Sequence, residues 1–170
     1  MEYLIGCRHG AYGSDGNLTA AGREEAVKLA SSLHERLSGQ RFRLLTSPVT
    51  RAVQTANILT EHLHPHNVYD LPYLCPVEEV SSGEECYLSG GSWDPVYSWG
   101  KDMDGLIVVG HADGLQDLLV DMAGRKGLNV RVPELRTGQG LWVGSQCVLF
   151  PERKVIEPVR RYVSDSDAPF

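Results

Sequence analysis

The sequence predicts an α/β domain: a three-layer sandwich with a mostly parallel sheet and helices on both faces. Two similar apolar runs, Tyr3 to Cys7 and Leu106 to Gly110, are each closed by a histidine, His9 and His111. Between and after them hydrophobic residues recur at helical spacing, so strand and helix alternate over the first two thirds of the chain. If the two runs are parallel neighbours, both imidazoles emerge at one sheet edge, where open α/β sheets bind ligands.

Each element has a local reason. Residues 3–8 read as a strand, apolar without a break from Tyr3 to Cys7, as a strand covered on both faces must be. Gly10, Gly13, Ser14, Asp15, Gly16 and Asn17 then make a polar loop. Thr19 is a suitable N-cap for a helix opened by Arg23, Glu24 and Glu25, whose buried face is Ala26, Ala30, Leu33 and Leu37 and whose end is Gly39. Phe42, Leu44 and Leu45 form a second strand. Ser47 is expected to cap the next helix with Pro48 at its first position. Ala52, Ala56, Leu59 and Leu63 line that helix's buried side, and Pro65 stops it.

Residues 71–105 break any long periodicity with Pro72, Pro76, Pro95 and several glycines. A short helical turn fits at Glu84 to Leu88 or at Val96 to Trp99, within an excursion expected to cover the ligand edge. Leu106 to Val109 is the next buried strand. Leu115, Leu118, Leu119 and Met122 then mark an amphipathic helix closed by Gly124. Leu141 to Val143 and Cys147 to Phe150 read as strands joined at Gly144 and Ser145, followed by a turn at Pro151 to Arg153 and a last strand through Val155 and Ile156. One domain over residues 1–163 and a frayed tail over 164–170 account for the 170 residues.

Apolar residues make up 42% of the chain and charged ones 22%, which excludes a disordered or fibrous protein. The formal charge of −6 opposes binding to nucleic acid or anionic lipid, so an anion site has to be a local cluster of Arg and His. The N-terminal apolar run is too short for a signal peptide, and no stretch approaches the ~20 apolar residues of a membrane span. A soluble, cytoplasmic protein without nucleic-acid or membrane partners is therefore expected. Cys7 and Cys147 read as core residues, while Cys75 and Cys86 leave a small place for a bridge or metal pair. His62, His64 and His66 suit a solvated helix end better than a metal site. Trp93, Tyr97 and Trp99 are expected to pin the excursion to the body rather than line a substrate mouth.

Four motifs fall in order at strand and helix boundaries. They are Arg8-His9-Gly10, Leu18-Thr19-Ala20-Ala21-Gly22, Ser47-Pro48-Val49-Thr50-Arg51-Ala52-Val53-Gln54-Thr55-Ala56, and Val109-Gly110-His111. Together they resemble the histidine phosphatase superfamily, the phosphoglycerate-mutase-like fold, over residues 3 to about 123. The resemblance implies a metal-independent phosphohydrolase that needs no cofactor, in a small branch similar to bacterial phosphohistidine phosphatases. Its substrate is then a phosphorylated small molecule or a phosphoprotein.

The resemblance also implies roles that the residue types can fill. Arg8 and Arg51 would bind phosphate oxygens, since the guanidinium fork matches two of them and stays charged. His9 would attack phosphorus through one ring nitrogen while an acceptor, such as a carbonyl of the nearby loop, holds the other. His111 would donate to the transferring phosphoryl group, most usefully as the cation. Glu79, four residues before Gly83, would be the acid, with Glu78, Glu84 and Glu85 as alternatives. Asp113 departs from the Gly-Gly that many relatives carry after the second histidine, and is read as the N-cap of the following helix. Other readings of the same residues are a mutase-type phosphotransferase, a non-catalytic phosphate-binding domain, and a metallohydrolase with His9 and His111 as ligands.

Overall fold

The computed structural model describes residues 1–76 and 92–160. Among them lie seven strands: β1 (Tyr3–Arg8), β2 (Phe42–Thr46), β3 (Asn67–Asp70), β4 (Gly105–Gly110), β5 (Gly140–Val143), β6 (Cys147–Phe150) and β7 (Lys154–Ile156). They form one sheet in the order β3-β2-β4-β1-β5-β6-β7. The first four are mutually parallel, and β5, β6 and β7 each join antiparallel to their neighbour. β1 and β4 are direct parallel neighbours, and the pairing of Arg8 with Gly110 brings the residues that follow, His9 and His111, to one edge.

Helices α1 (Ala20–Leu37), α2 (Thr50–Leu63), α3 (Asp94–Tyr97) and α4 (Ala112–Arg125) cover the sheet. Alternate residues of the central strands enter two separate cores. Leu4, Leu45, Leu106 and Val108 pack with Leu115, Leu118 and Leu119 of α4 and with Trp93 and Val96. Ile5, Cys7, Leu44, Ile107 and Val109 pack with Leu29 and Leu33 of α1 and with Ala52, Ala56 and Leu59 of α2. Such double coverage is why these strands carry no polar face.

Thr19 caps α1 as expected, its hydroxyl accepting the Gly22 N–H at 3.0 Å. The start of α2 differs from expectation. The helix begins at Thr50 with Val49 as its capping residue, so Pro48 lies outside it. A residue before proline is pushed out of helical geometry, and the Ser47 hydroxyl is committed to His111 as well as to the Val49 N–H. α4 begins one position before Asp113: His111, in extended conformation, is the capping residue and Asp113 sits exposed in the first turn, so the N-cap reading is corrected. Strand β3 was not anticipated; it is a four-residue edge segment, largely exposed and without an apolar pattern, formed by pairing to β2.

The excursion ends on α4 through its aromatic residues, as expected of packing. Trp93 Nε1 donates to Asp117 at 2.9 Å and Tyr97 Oη donates to Asp121 at 2.5 Å. The α3 segment and the 3₁₀ turn Ser98–Gly100 fill the place of the Val96 to Trp99 turn. Glu84 to Leu88, Cys86 and the tail 164–170 lie outside the described residues.

Two of the motif glycines explain each other. A Cβ on Gly10 would stand 2.4 Å from the Gly22 carbonyl oxygen, and one on Gly22 would stand 2.0 Å from that of Ala11. The loop after β1 and the first turn of α1 thus pass backbone against backbone. Gly22→Ala is expected to lower unfolding stability in urea by about 1–3 kcal/mol through overpacking. By contrast Gly124→Ala, where a Cβ meets nothing within 4 Å, is expected to raise it by about 0.5–1 kcal/mol because helical glycine costs backbone entropy.

Candidate active site

His9 and His111 lie together at the carboxyl ends of β1 and β4, 3% and 9% exposed, with ring centroids 5.2 Å apart. Arg51, on the first turn of α2, reaches across both. Its Nε donates to His9 Nε2 at 3.3 Å, and its Nη2 faces His111 Nδ1 at 3.5 Å. Arg8, at the end of β1, donates through Nη1 to the Leu135 carbonyl at 2.9 Å, while its Nε is buried without a hydrogen-bond acceptor among the described residues. The structure therefore brings Arg8, His9, Arg51 and His111 to one place. Glu78, Glu79, Glu84 and Glu85 lie outside the described residues.

The tautomer of His9 follows from its neighbours. Nδ1 lies 2.9 Å from the Gly10 carbonyl, which can only accept, so Nδ1 carries the proton. Nε2 then holds the lone pair, consistent with the Arg51 Nε–H pointing at it. The carbonyl is itself held in place: Gly10 N–H donates to Thr55 Oγ1 at 3.0 Å, and Thr55 Oγ1 donates to the Arg51 carbonyl at 2.8 Å. Ala11 N–H donates to Glu25 at 3.0 Å, and Gly138 N–H reaches the Arg8 and His9 carbonyls. The loop beyond is riveted to α2, since Gln54 accepts the Leu18 N–H at 2.7 Å and donates to Asn17 at 2.8 Å.

Three residues near this centre were not given a part by their residue type. Thr55, fully buried, stands one helical turn after Arg51, and that i, i+4 spacing was its only signal. Ser47 was read as a cap and instead touches His111. Tyr12, 47% exposed, lays its ring under the Arg51 guanidinium, 4.5 Å from Cζ to centroid, and meets His9 edge-on at 5.3 Å. Nothing in the loop composition distinguishes Tyr12.

His111 is pushed down from 6.5 to about 3, first by burial and then by electrostatic repulsion from His9, Arg51 and Arg8. It is thus neutral at pH 7 when no anion faces it, in contrast to the cation expected from the sequence. The linkage to stability has a definite sign. Between pH 6.5 and 3 the unfolded chain binds a proton at this residue and the folded chain does not, so stability falls as pH drops through that window. His111→Asn is expected to flatten the dependence of the urea midpoint on pH over that interval; an unchanged slope would remove His111 as its source.

Residues 8–75 match the sequence profile described as the histidine phosphatase superfamily (branch 1). No curated protein sequence matches the chain. Among solved structures, the SixA protein of Agrobacterium tumefaciens is similar with a TM-score of 0.61 at 18% identity, covering 94% of this chain and 99% of that one. The protein histidine phosphatase SixA in complex with tungstate gives 0.61 at 20% identity, over 83% and 86% of the two chains. Phosphoglycerate mutase from Plasmodium falciparum gives 0.54 at 17% identity, over 95% and 97%. The matched residues are those that carry Arg8, His9 and Arg51, and the fold that presents them is the one these solved structures share.

Proposed function

We propose that the chain is a metal-independent phosphohydrolase that passes a phosphoryl group to His9 and then to water. The observation that carries this reading is the His9 tautomer: a buried imidazole with its proton fixed on Nδ1 and its lone pair on Nε2 facing the Arg51 guanidinium. In the first step the Nε2–P bond forms and the P–O bond of the ester breaks, with Glu79 giving its proton to the leaving oxygen. In the second, water attacks phosphorus and loses a proton to the Glu79 carboxylate. The P–N bond breaks and inorganic phosphate leaves. Arg8 and Arg51 neutralise the phosphoryl oxygens in both steps.

The charge of the site favours an anion over a metal cation. Both histidine nitrogens that turn inward face Arg51, and a divalent cation there would meet that guanidinium at close range. A phosphorylated small molecule or a phosphoprotein fits instead. The fold shared with a tungstate-bound phosphohistidine phosphatase supports the same class of substrate.

His9→Ala is expected to abolish both turnover and acid-labile phosphate labelling; labelling that survives would refute the nucleophile. Arg51→Ala should lower kcat/KM about 10²–10³-fold, as loss of a donor to transition-state charge does. Glu79→Gln should slow alkyl phosphates far more than aryl phosphates, whose leaving group needs little protonation, and equal losses would move the acid to Glu78, Glu84 or Glu85. Activity that a chelator leaves intact and vanadate blocks is expected, and chelator sensitivity would overturn the metal-independent reading.

A further inference from the structure

Ser47 is fully buried where β2 gives way to α2, and its Oγ lies 2.9 Å from His111 Nε2. That oxygen also accepts the Val49 N–H at 3.3 Å, and the Ser47 N–H is bonded to the Val109 carbonyl at 2.9 Å, so the hydroxyl is held where it is. On the opposite side of the ring Arg51 Nη2 faces Nδ1 at 3.5 Å. A guanidinium only donates, so Nδ1 carries the lone pair and Nε2 carries the proton, given to Ser47. His9 is set the same way toward the centre, with its proton on Nδ1 and Gly10. Both imidazoles therefore turn a lone pair inward, and a phosphoryl oxygen, itself an acceptor, has no donor to meet on either ring.

We propose that Ser47 is a positioning residue that keeps the His111 proton on Nε2, so that a tetrahedral dianion entering the site is bound together with one proton taken from solvent onto His111 Nδ1. The inference rests on reading this edge as a phosphate site. The new N–H forms on Nδ1, the ring becomes imidazolium, and the added charge stays with the bound complex. His9 keeps its lone pair, as attack on phosphorus requires. Among the described residues, the charged and titratable groups that face or flank His111 are Arg8 at the end of β1, His9 just after it, Arg51 on α2, and Asp113 on its own helix, exposed in the first turn. The first three oppose a charge on His111; the two negative charges of the anion reverse that balance.

Sulfate tests this, because it is a tetrahedral dianion that does not itself titrate near neutral pH. Calorimetric titration of the whole chain at neutral pH in buffers of differing ionisation enthalpy is expected to show about one proton taken up per sulfate, with affinity falling about tenfold per pH unit as pH rises from about 3 until the His111 of the complex itself loses its proton. His9→Asn should keep the uptake and His111→Asn should lose it. Sulfate bound without proton uptake, or uptake that follows His9 instead, overturns the inference while leaving the phosphatase reading standing; no sulfate binding at all overturns both. Ser47→Ala should still bind sulfate with clearly reduced uptake, because the freed neutral ring can place its own proton on Nδ1; uptake equal to wild type removes Ser47 from the account. Should Ser47→Ala fail to fold, the ¹⁵N shifts of His111 in the wild-type chain decide: a protonated Nε2 and bare Nδ1 are expected, and the reverse tautomer refutes the assignment.

Discussion

The hydrogen bond from His9 Nδ1 to the Gly10 carbonyl, 2.9 Å long, is the constraint on which the rest of the site depends. It decides which nitrogen can act, and it does so with a main-chain group one residue away. A peptide group has no rotamer, so the bond is only as firm as the backbone that carries it. That backbone is fastened from three directions: Gly10 N–H to Thr55 on α2, Gly10 against Gly22 on α1, and the Arg8 and His9 carbonyls to the Gly138 N–H. Helices from one sheet face and the segment before β5 thus converge on one imidazole. A ring held this way keeps one tautomer and one orientation.

Much of this was legible in the sequence, and for a physical reason in each case. The strands β1, β2 and β4 are buried on both faces, so their apolar runs admit no other reading. The faces of α1 and α4 carry a clean helical period because one side meets a core and the other meets water. Arg8, His9, Arg51 and His111 were found because their residue types are costly to bury without purpose and they fall at element ends. Edge strand β3 was missed since its pairing partner, not its own composition, makes it a strand. The cap positions at α2 and α4 were misread because Ser47 and Asp113 have the right chemistry for a cap, while tertiary contacts assigned the capping place to Val49 and His111. Ser47, Thr55 and Tyr12 act through geometry across distant segments, and short-range pattern carries no record of that. Glu79 as the acid rests on the resemblance, through its spacing to Gly83, and lies outside the described residues.

A protein of net charge −6 that concentrates two arginines beside two histidines has to limit the repulsion among them. It does so by keeping His111 neutral: burial and the very cations it accompanies push that imidazole down to about 3. The site is thereby less positive before an anion arrives than its residue list suggests. Neutral rings also place their lone pairs where Arg51 can donate to them, so the guanidinium is satisfied without a substrate.

That satisfaction has a consequence for how an ester reaches phosphoryl-transfer geometry. Arg51 Nε sits 3.3 Å from the His9 lone pair, about the distance at which a phosphorus atom must stand for in-line attack. The guanidinium and a phosphoryl group cannot both occupy that line, so on the proposed mechanism ester entry would draw Arg51 off His9 and onto phosphate oxygens. Tyr12 makes the displacement specific. Its ring lies against the flat face of the guanidinium at 4.5 Å, which opposes tilting out of plane and leaves sliding within the plane as the soft direction. An arginine so guided exchanges a lone pair on nitrogen for negatively charged oxygens while keeping its stacking partner. On the proposed mechanism His9 would be uncovered by the same group that then holds its target.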